Sequence, residues 1–150
     1  MPVEERSYVA DAINPLEADA DYLAKVIFAE DAGGGPEAWK GVGNVAVNRL
    51  RSGRYGKNLK GVLSKMSAAV QTKSPQWQKV SKGELNSFEN MVYGRIKEAA
   101  RQVLSEKNVD NTKGAVLFEN LESFGFPKTW DKSKVQATTK IGKHTYFREQ

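Results

Sequence analysis

Two carboxylates and three glycines stand where an apolar run gives way to a turn: Leu23-Ala24-Lys25-Val26-Ile27-Phe28-Ala29-Glu30-Asp31-Ala32-Gly33-Gly34-Gly35-Pro36. Wound as a helix, Leu23, Val26, Ile27 and Glu30 follow i, i+3, i+4, i+7 spacing, so one stripe carries three apolar side chains and one carboxylate. An apolar wall disfavours the charged form of a carboxyl group. A Glu held that way can keep a proton near neutral pH and donate it as a general acid. The glycines that follow leave room for a sugar or a substrate backbone to approach closely. The same position also suits a boundary carboxylate that simply reaches water, so the local pattern leaves both roles open.

Composition removes several other chemistries. The 150 residues contain no cysteine, which excludes a thiolate nucleophile, a disulfide framework and a Cys-based zinc site. With one histidine, His144, a multi-His metal site within the chain is excluded, and a Ser-His-Asp triad would have to use that residue. No metal and no cofactor is expected. The net charge of +5 favours polyanionic surroundings such as an acidic cell wall. Its lysines, however, are scattered through the middle of the chain (Lys57, Lys60, Lys65, Lys73, Lys79, Lys82) without a dense basic helix, which argues against nucleic acid as the partner. No apolar run approaches the length of a membrane span, and Met1-Pro2-Val3-Glu4-Glu5-Arg6 does not read as a signal peptide.

The elements that must position Glu30 can be read from periodicity and breakers. The chain reads as one domain over 1–150, with a polar extension at 1–18 that has weak helical character around Tyr8–Ile13 and a stop at Asn14-Pro15. A helix capped by Asp19 then runs over 20–30. A second helix starts at Pro36, with Glu37 in its first turn, and closes at Ser52-Gly53; Asn44 and Asn48 stand four apart on it and Trp39 reads as core. The stretch 53–83 reads as a short helix near Leu59–Leu63, then a polar loop through Gln71 and Trp77. A third long helix is expected over 87–107, opened by an Asn86/Glu89 capping box. Its expected buried stripe is Phe88, Met91/Val92, Ile96, Ala99, Val103 and Leu104. After it the period changes to a short buried strand over 114–120 and a hairpin, Val135–Ile141 and His144–Phe147, turning at Gly142-Lys143. Helices first and a small antiparallel sheet afterwards make an α+β domain.

Four of these segments, in this order, resemble the SleB-type cell-wall hydrolases, the spore-cortex-lytic enzymes and their bacterial and phage relatives. They are Leu23–Glu30, which ends in an Ala-Glu pair, and Gly41–Leu50, which carries an Asn-Arg pair. The third is Gly114-Ala115-Val116-Leu117-Phe118-Glu119-Asn120, and the last is Ile141-Gly142-Lys143-His144-Thr145-Tyr146-Phe147. The resemblance covers a core of about 20–148 and departs from the family in the middle, where Gln71 is followed by Thr72 rather than an aromatic residue.

This resemblance implies a lysozyme-like catalytic domain that cuts the β-1,4 bond between N-acetylmuramic acid and N-acetylglucosamine in peptidoglycan glycan strands. It further implies a lytic transglycosylase with a single catalytic glutamate, in the position of Glu30. A hydrolytic muramidase would need a second carboxylate, for which Asp31, Glu37 and Glu119 are the candidates. A glycan-binding phage structural protein without activity is the non-enzymatic alternative. Release to the wall would rest on a holin or on assembly into a phage tail, or on export of a longer chain from which this domain is trimmed. Among the other matched residues, Asn48 either orients substrate or satisfies nearby carbonyls, and Asn120 either holds an acetamido group or ends a strand. His144 with Tyr146 either lines the cleft or packs as structure, and Gln71 stands for the family's glycan-contacting Gln. Trp77 and Trp130, each in a polar stretch near a proline, suit sugar stacking.

Overall fold

A computed structural model describes the backbone over residues 3–150 and the side chains from residue 17 onward. The expectation of a polar extension, as far as it concerns residues 1 and 2 and the side chains before residue 17, lies outside the described residues. Helix α1 (Val3–Asp31) leads into α2 (Pro36–Ser52), α3 (Leu59–Met66), α4 (Ala68–Gln71), α5 (Pro75–Lys82) and α6 (Ser87–Val103). Strand β1 (Leu117–Glu119), helix α7 (Leu121–Phe124), a 3-10 turn (Lys132–Lys134) and the hairpin β2 (Val135–Ile141) and β3 (His144–Glu149) complete the fold. The strands form one antiparallel sheet in the order β1-β3-β2. The expected α+β class is what the structure has.

The C-terminal half of α1 is the axis of the core. Ala20, Leu23, Ala24, Val26, Ile27 and Phe28 are all buried against α2, α3, α5 and α6, so this segment is covered on nearly every side rather than along one stripe. Each buried aliphatic side chain contributes about 1.5–3 kcal/mol of transfer free energy. This packing anchors the last turn of the helix, from which Glu30 emerges out of the core. At the end of α1 the Trp39 indole N–H donates to the carbonyls of Asp31 (3.0 Å) and Ala32 (3.3 Å), satisfying acceptors that a helix terminus otherwise leaves open.

Four expectations are corrected. The first helix does not begin at Asp19; α1 passes through Asn14-Pro15 without ending. Ties from its middle to α6 hold it in place: Arg101 pairs with Glu17, and Tyr93 donates to the carboxylate of Asp21. The polar loop around Gln71 and Trp77 is instead helical. Ser67 caps α4, and Ser74 caps α5 with Pro75 in its first turn and Gly83 at its end. The third long helix stops at Val103, because the chain turns into hydrogen bonds at Ser105 and Asn108, and Asn108 then binds the Asn44 side chain on α2. Its first turn is not buried either: Phe88 is 68% exposed and Met91 49%. Finally, β1 is shorter than 114–120. Residues 110–115 are folded around the Asp110 carboxylate, which accepts from the amides of Thr112 (2.8 Å) and Gly114 (2.9 Å).

Where the readings hold, they hold in detail. The α6 capping box is formed in both directions, α2 starts at Pro36 and ends on left-handed Gly53, and the hairpin turns at Gly142-Lys143 with Ile141 opposite His144.

Candidate active site

Glu30 is half-buried at the end of α1 and lines a cavity of about 660 Å³ with Phe28, Asp31, Gly33, Gln76, Phe88, Glu89, Val92 and Lys143 among its walls. Four elements meet there: the last turn of α1, the first turns of α5 and α6, and the tip of the β2-β3 hairpin. The Ser67 hydroxyl accepts the Val70 N–H as the cap of α4 and donates its own proton to Glu30 Oε1 at 2.5 Å. The Ala69 N–H reaches the same oxygen at 3.4 Å. One carboxylate oxygen is thus fixed by the α3–α4 junction. Among the described residues, Oε2 has no hydrogen-bond partner in the structure, so it is free for a substrate atom.

Asp31 turns away from this junction toward the hairpin. Asp31 is 8% exposed, and its carboxylate lies 3.5 Å from Lys143 Nζ and 3.8 Å from His144 Nδ1. Gly34 closes over it, and a Cβ at that position would strike the Asp31 carboxylate, which gives this glycine a steric reason in the turn. His144 is buried edge-on against Phe118, with ring centroids 4.8 Å apart. Burial pushes its imidazole pKa below the ordinary histidine value, and Lys143 acts in the same sense, against the opposing charges of Asp31 and Glu30. That direction favours the neutral imidazole, and His144 Nδ1, 3.8 Å from the Asp31 carboxylate, makes no hydrogen bond among the described residues. Behind it Tyr146 is fully buried, and its ring fits because Gly41 on α2 has no side chain; a Cβ there would lie 2.8 Å from Tyr146 Cζ.

The remaining candidates are placed away from the cavity walls. Asn48 donates from its amide nitrogen to Asp110 Oδ2 (2.8 Å) and to the Ala115 carbonyl (2.9 Å), and Arg49 Nε donates to the Val116 carbonyl (2.6 Å). The Asn-Arg pair thus ties α2 to the approach of β1. Gln71 donates to the Ser64 (3.3 Å) and Lys65 (2.7 Å) carbonyls at the end of α3. Trp77 packs edge-on against Tyr22, and Trp130 clusters with Phe126 and Phe147. Asn120 caps α7 by accepting the Ser123 N–H. Of the candidate second carboxylates, Asp31 lines the cavity. Glu37 accepts from Asn111, and Glu119 accepts the Asn120 N–H; neither is among the cavity residues.

Ser67, Gln76, Phe88, Glu89 and Lys143 are the site residues that the sequence reading passed over. Ser67 and Gln76 each stand at the start of a helix, α4 and α5, where the sequence pattern suggests a loop. Recognising Ser74-Pro75 as a cap followed by a first-turn proline, with Gly83 at the far end, would have revealed α5 and with it Gln76.

Residues 33–147 match the family model described as Cell Wall Hydrolase, starting just past Glu30 and containing the Asn-Arg helix, the Gly-Ala segment and the His hairpin. No curated protein and no solved structure matches the chain. With most of its length inside that match, and the same segments placed in one fold, this chain belongs to the cell wall hydrolase family, whose substrate is the peptidoglycan of the wall.

Proposed function

We propose that the protein is a lytic transglycosylase that cuts the bond between N-acetylmuramic acid and N-acetylglucosamine with Glu30 as its only acid/base. The observation that carries this reading is the state of the cavity carboxylates. Glu30 Oε1 is held by Ser67 and Ala69 while Oε2 is open. Asp31 is buried beside Lys143 and His144, and Glu89 is taken up by Lys79 and by the Asn86 amide in the capping box.

The chemistry balances with one carboxyl group. Protonated Glu30 donates to the glycosidic oxygen as the C1–O bond breaks and positive charge grows on the muramic ring. The resulting carboxylate then removes the proton from the 6-hydroxyl of the same ring as that oxygen bonds to C1. A 1,6-anhydro ring closes, Glu30 is protonated again, and no water is consumed. A muramidase would require a second carboxylate as nucleophile or as base for water.

Asp31→Asn and Glu89→Gln test that point, because both lie in the cavity. Each is expected to clear a suspension of purified peptidoglycan within about threefold of the wild-type rate, since neither takes part in proton transfer. A loss as deep in either variant as in Glu30→Gln would assign a second catalytic carboxylate and favour the hydrolytic mechanism. No clearing by the wild-type protein would favour a glycan-binding role without catalysis.

A further inference from the structure

The stripe of α6 is apolar from end to end, yet only its C-terminal half is covered. Ile96, Ala99, Ala100 and Val103 are buried, whereas Phe88 in the first turn is 68% exposed. An aromatic ring left in water at the start of an otherwise packed helix is worth explaining by what it faces. Phe88 faces the cavity of Glu30, together with Val92 and Phe28, while Gln76, Glu89 and Lys143 supply polar groups around this apolar patch.

The backbone that carries the ring is also fixed before any ligand arrives. The capping box of Asn86 and Glu89 fixes the backbone on either side of it, and Lys79 on α5 pairs with Glu89. Asn90 donates to the Leu85 carbonyl at 3.0 Å and closes the turn that leads into the helix. An aromatic side chain has few torsions to immobilise on binding, so it costs little conformational entropy for the area it offers.

An apolar aromatic face ringed by hydrogen-bonding groups is complementary to a pyranose ring, which presents C–H bonds on its face and hydroxyl or acetamido groups at its edge. We infer that Phe88 is the stacking platform for one sugar of the glycan strand in the Glu30 cleft, with Gln76 and Lys143 meeting polar substituents of the sugars there. This inference rests on the reading of the cleft as the glycan site. Trp77 and Trp130, the aromatic residues that the sequence suggested for stacking, pack against Tyr22 and against Phe126 and Phe147 instead.

The test is steady-state cleavage of solubilised, uncrosslinked peptidoglycan strands by the full chain, with Glu30→Gln run in parallel. Phe88→Ala is expected to raise KM roughly tenfold with little change in kcat, the pattern for a contact made equally in ground and transition states. Phe88→Leu should behave like Phe88→Ala, because it keeps apolar surface but not a flat face, and Phe88→Trp should restore the wild-type KM. Thermal melting of each variant confirms that an exposed position has not altered folding. Wild-type KM in Phe88→Ala, or full rescue by Leu, overturns the platform. If Glu30→Gln is inactive while Phe88→Ala is unaffected, the platform alone falls; if Glu30→Gln still cleaves, the cleft reading falls and the platform with it.

Discussion

Glu30→Gln is expected to lower the rate of peptidoglycan cleavage by at least about a thousandfold while leaving the melting temperature close to wild type. General acid–base transfer by one positioned group contributes typically 10²–10⁴-fold, and here one residue is asked to serve in both steps. A thousandfold loss corresponds to about 4 kcal/mol of transition-state stabilisation. Gln keeps the shape of the side chain, and its carbonyl can accept the Ser67 proton that Glu30 Oε1 accepts at 2.5 Å. What it cannot do is release a proton to the leaving oxygen. The variant should therefore still sediment with insoluble peptidoglycan, so binding and turnover separate in one protein.

The second large effect is expected far from the cleft. Asn48→Leu should lower stability by about 2–3 kcal/mol, because it removes the amide nitrogen that donates to two acceptors. One is the carbonyl of buried Ala115, and the other is the Asp110 carboxylate, which keeps only its bonds from Thr112 and Gly114. For a domain of this size that is a fall of roughly 5–10 °C in melting temperature.

This loss also has a pH signature. Burial alone would raise the Asp110 pKa, but hydrogen bonds from Thr112, Asn48 and the amides of Thr112 and Gly114 together hold it below the ordinary aspartate value. A carboxyl with a depressed folded pKa contributes stability above its unfolded pKa, near 3.9, and loses that contribution as pH falls through the folded value. The gap between wild type and Asn48→Leu should therefore be full at pH 7 and shrink below about pH 4. Denaturant melts at the two pH values check it. Wild-type stability with a large rise in KM would show instead that Asn48 touches substrate.

What is legible in the sequence depends on whether each signal is local. The capping box at Asn86, the first-turn proline at Pro36 and the Gly142-Lys143 turn each depend on a few neighbouring residues, and each is formed as read. Glu30 was found by a helical spacing that is likewise local, and it does end a buried helix at the mouth of a cavity. Long-range packing was not legible in the same way. Phe88 has the right period to be core, but nothing in the period says that α6 outruns its partners by a turn. Trp77 looked like a loop aromatic because α5 offers only Trp77 and Val80 as an apolar spacing, too few to mark a helix without its caps. Asn48 could be read as substrate-binding or as structural, and the choice was invisible until residues 110–115 folded back onto α2.

Asp31 marks the same boundary for chemistry. Its place beside Glu30 in the chain made it a candidate partner carboxylate, and about 100° of helical rotation argued against a facing pair. The structure places it toward Lys143 and His144, on a hairpin more than a hundred residues later in the chain. A single-acid mechanism thus draws its support from a tertiary contact that neighbouring residues do not reveal.

The mass of the released muropeptides tests that mechanism most directly. Digestion of purified peptidoglycan by the wild-type protein should yield products ending in 1,6-anhydro-N-acetylmuramic acid, each lighter by one water than its hydrolytic counterpart and not reducible by borohydride. Products that carry a reducing end and take up borohydride would contradict an acid/base that works alone and would require a second carboxylate to deliver water.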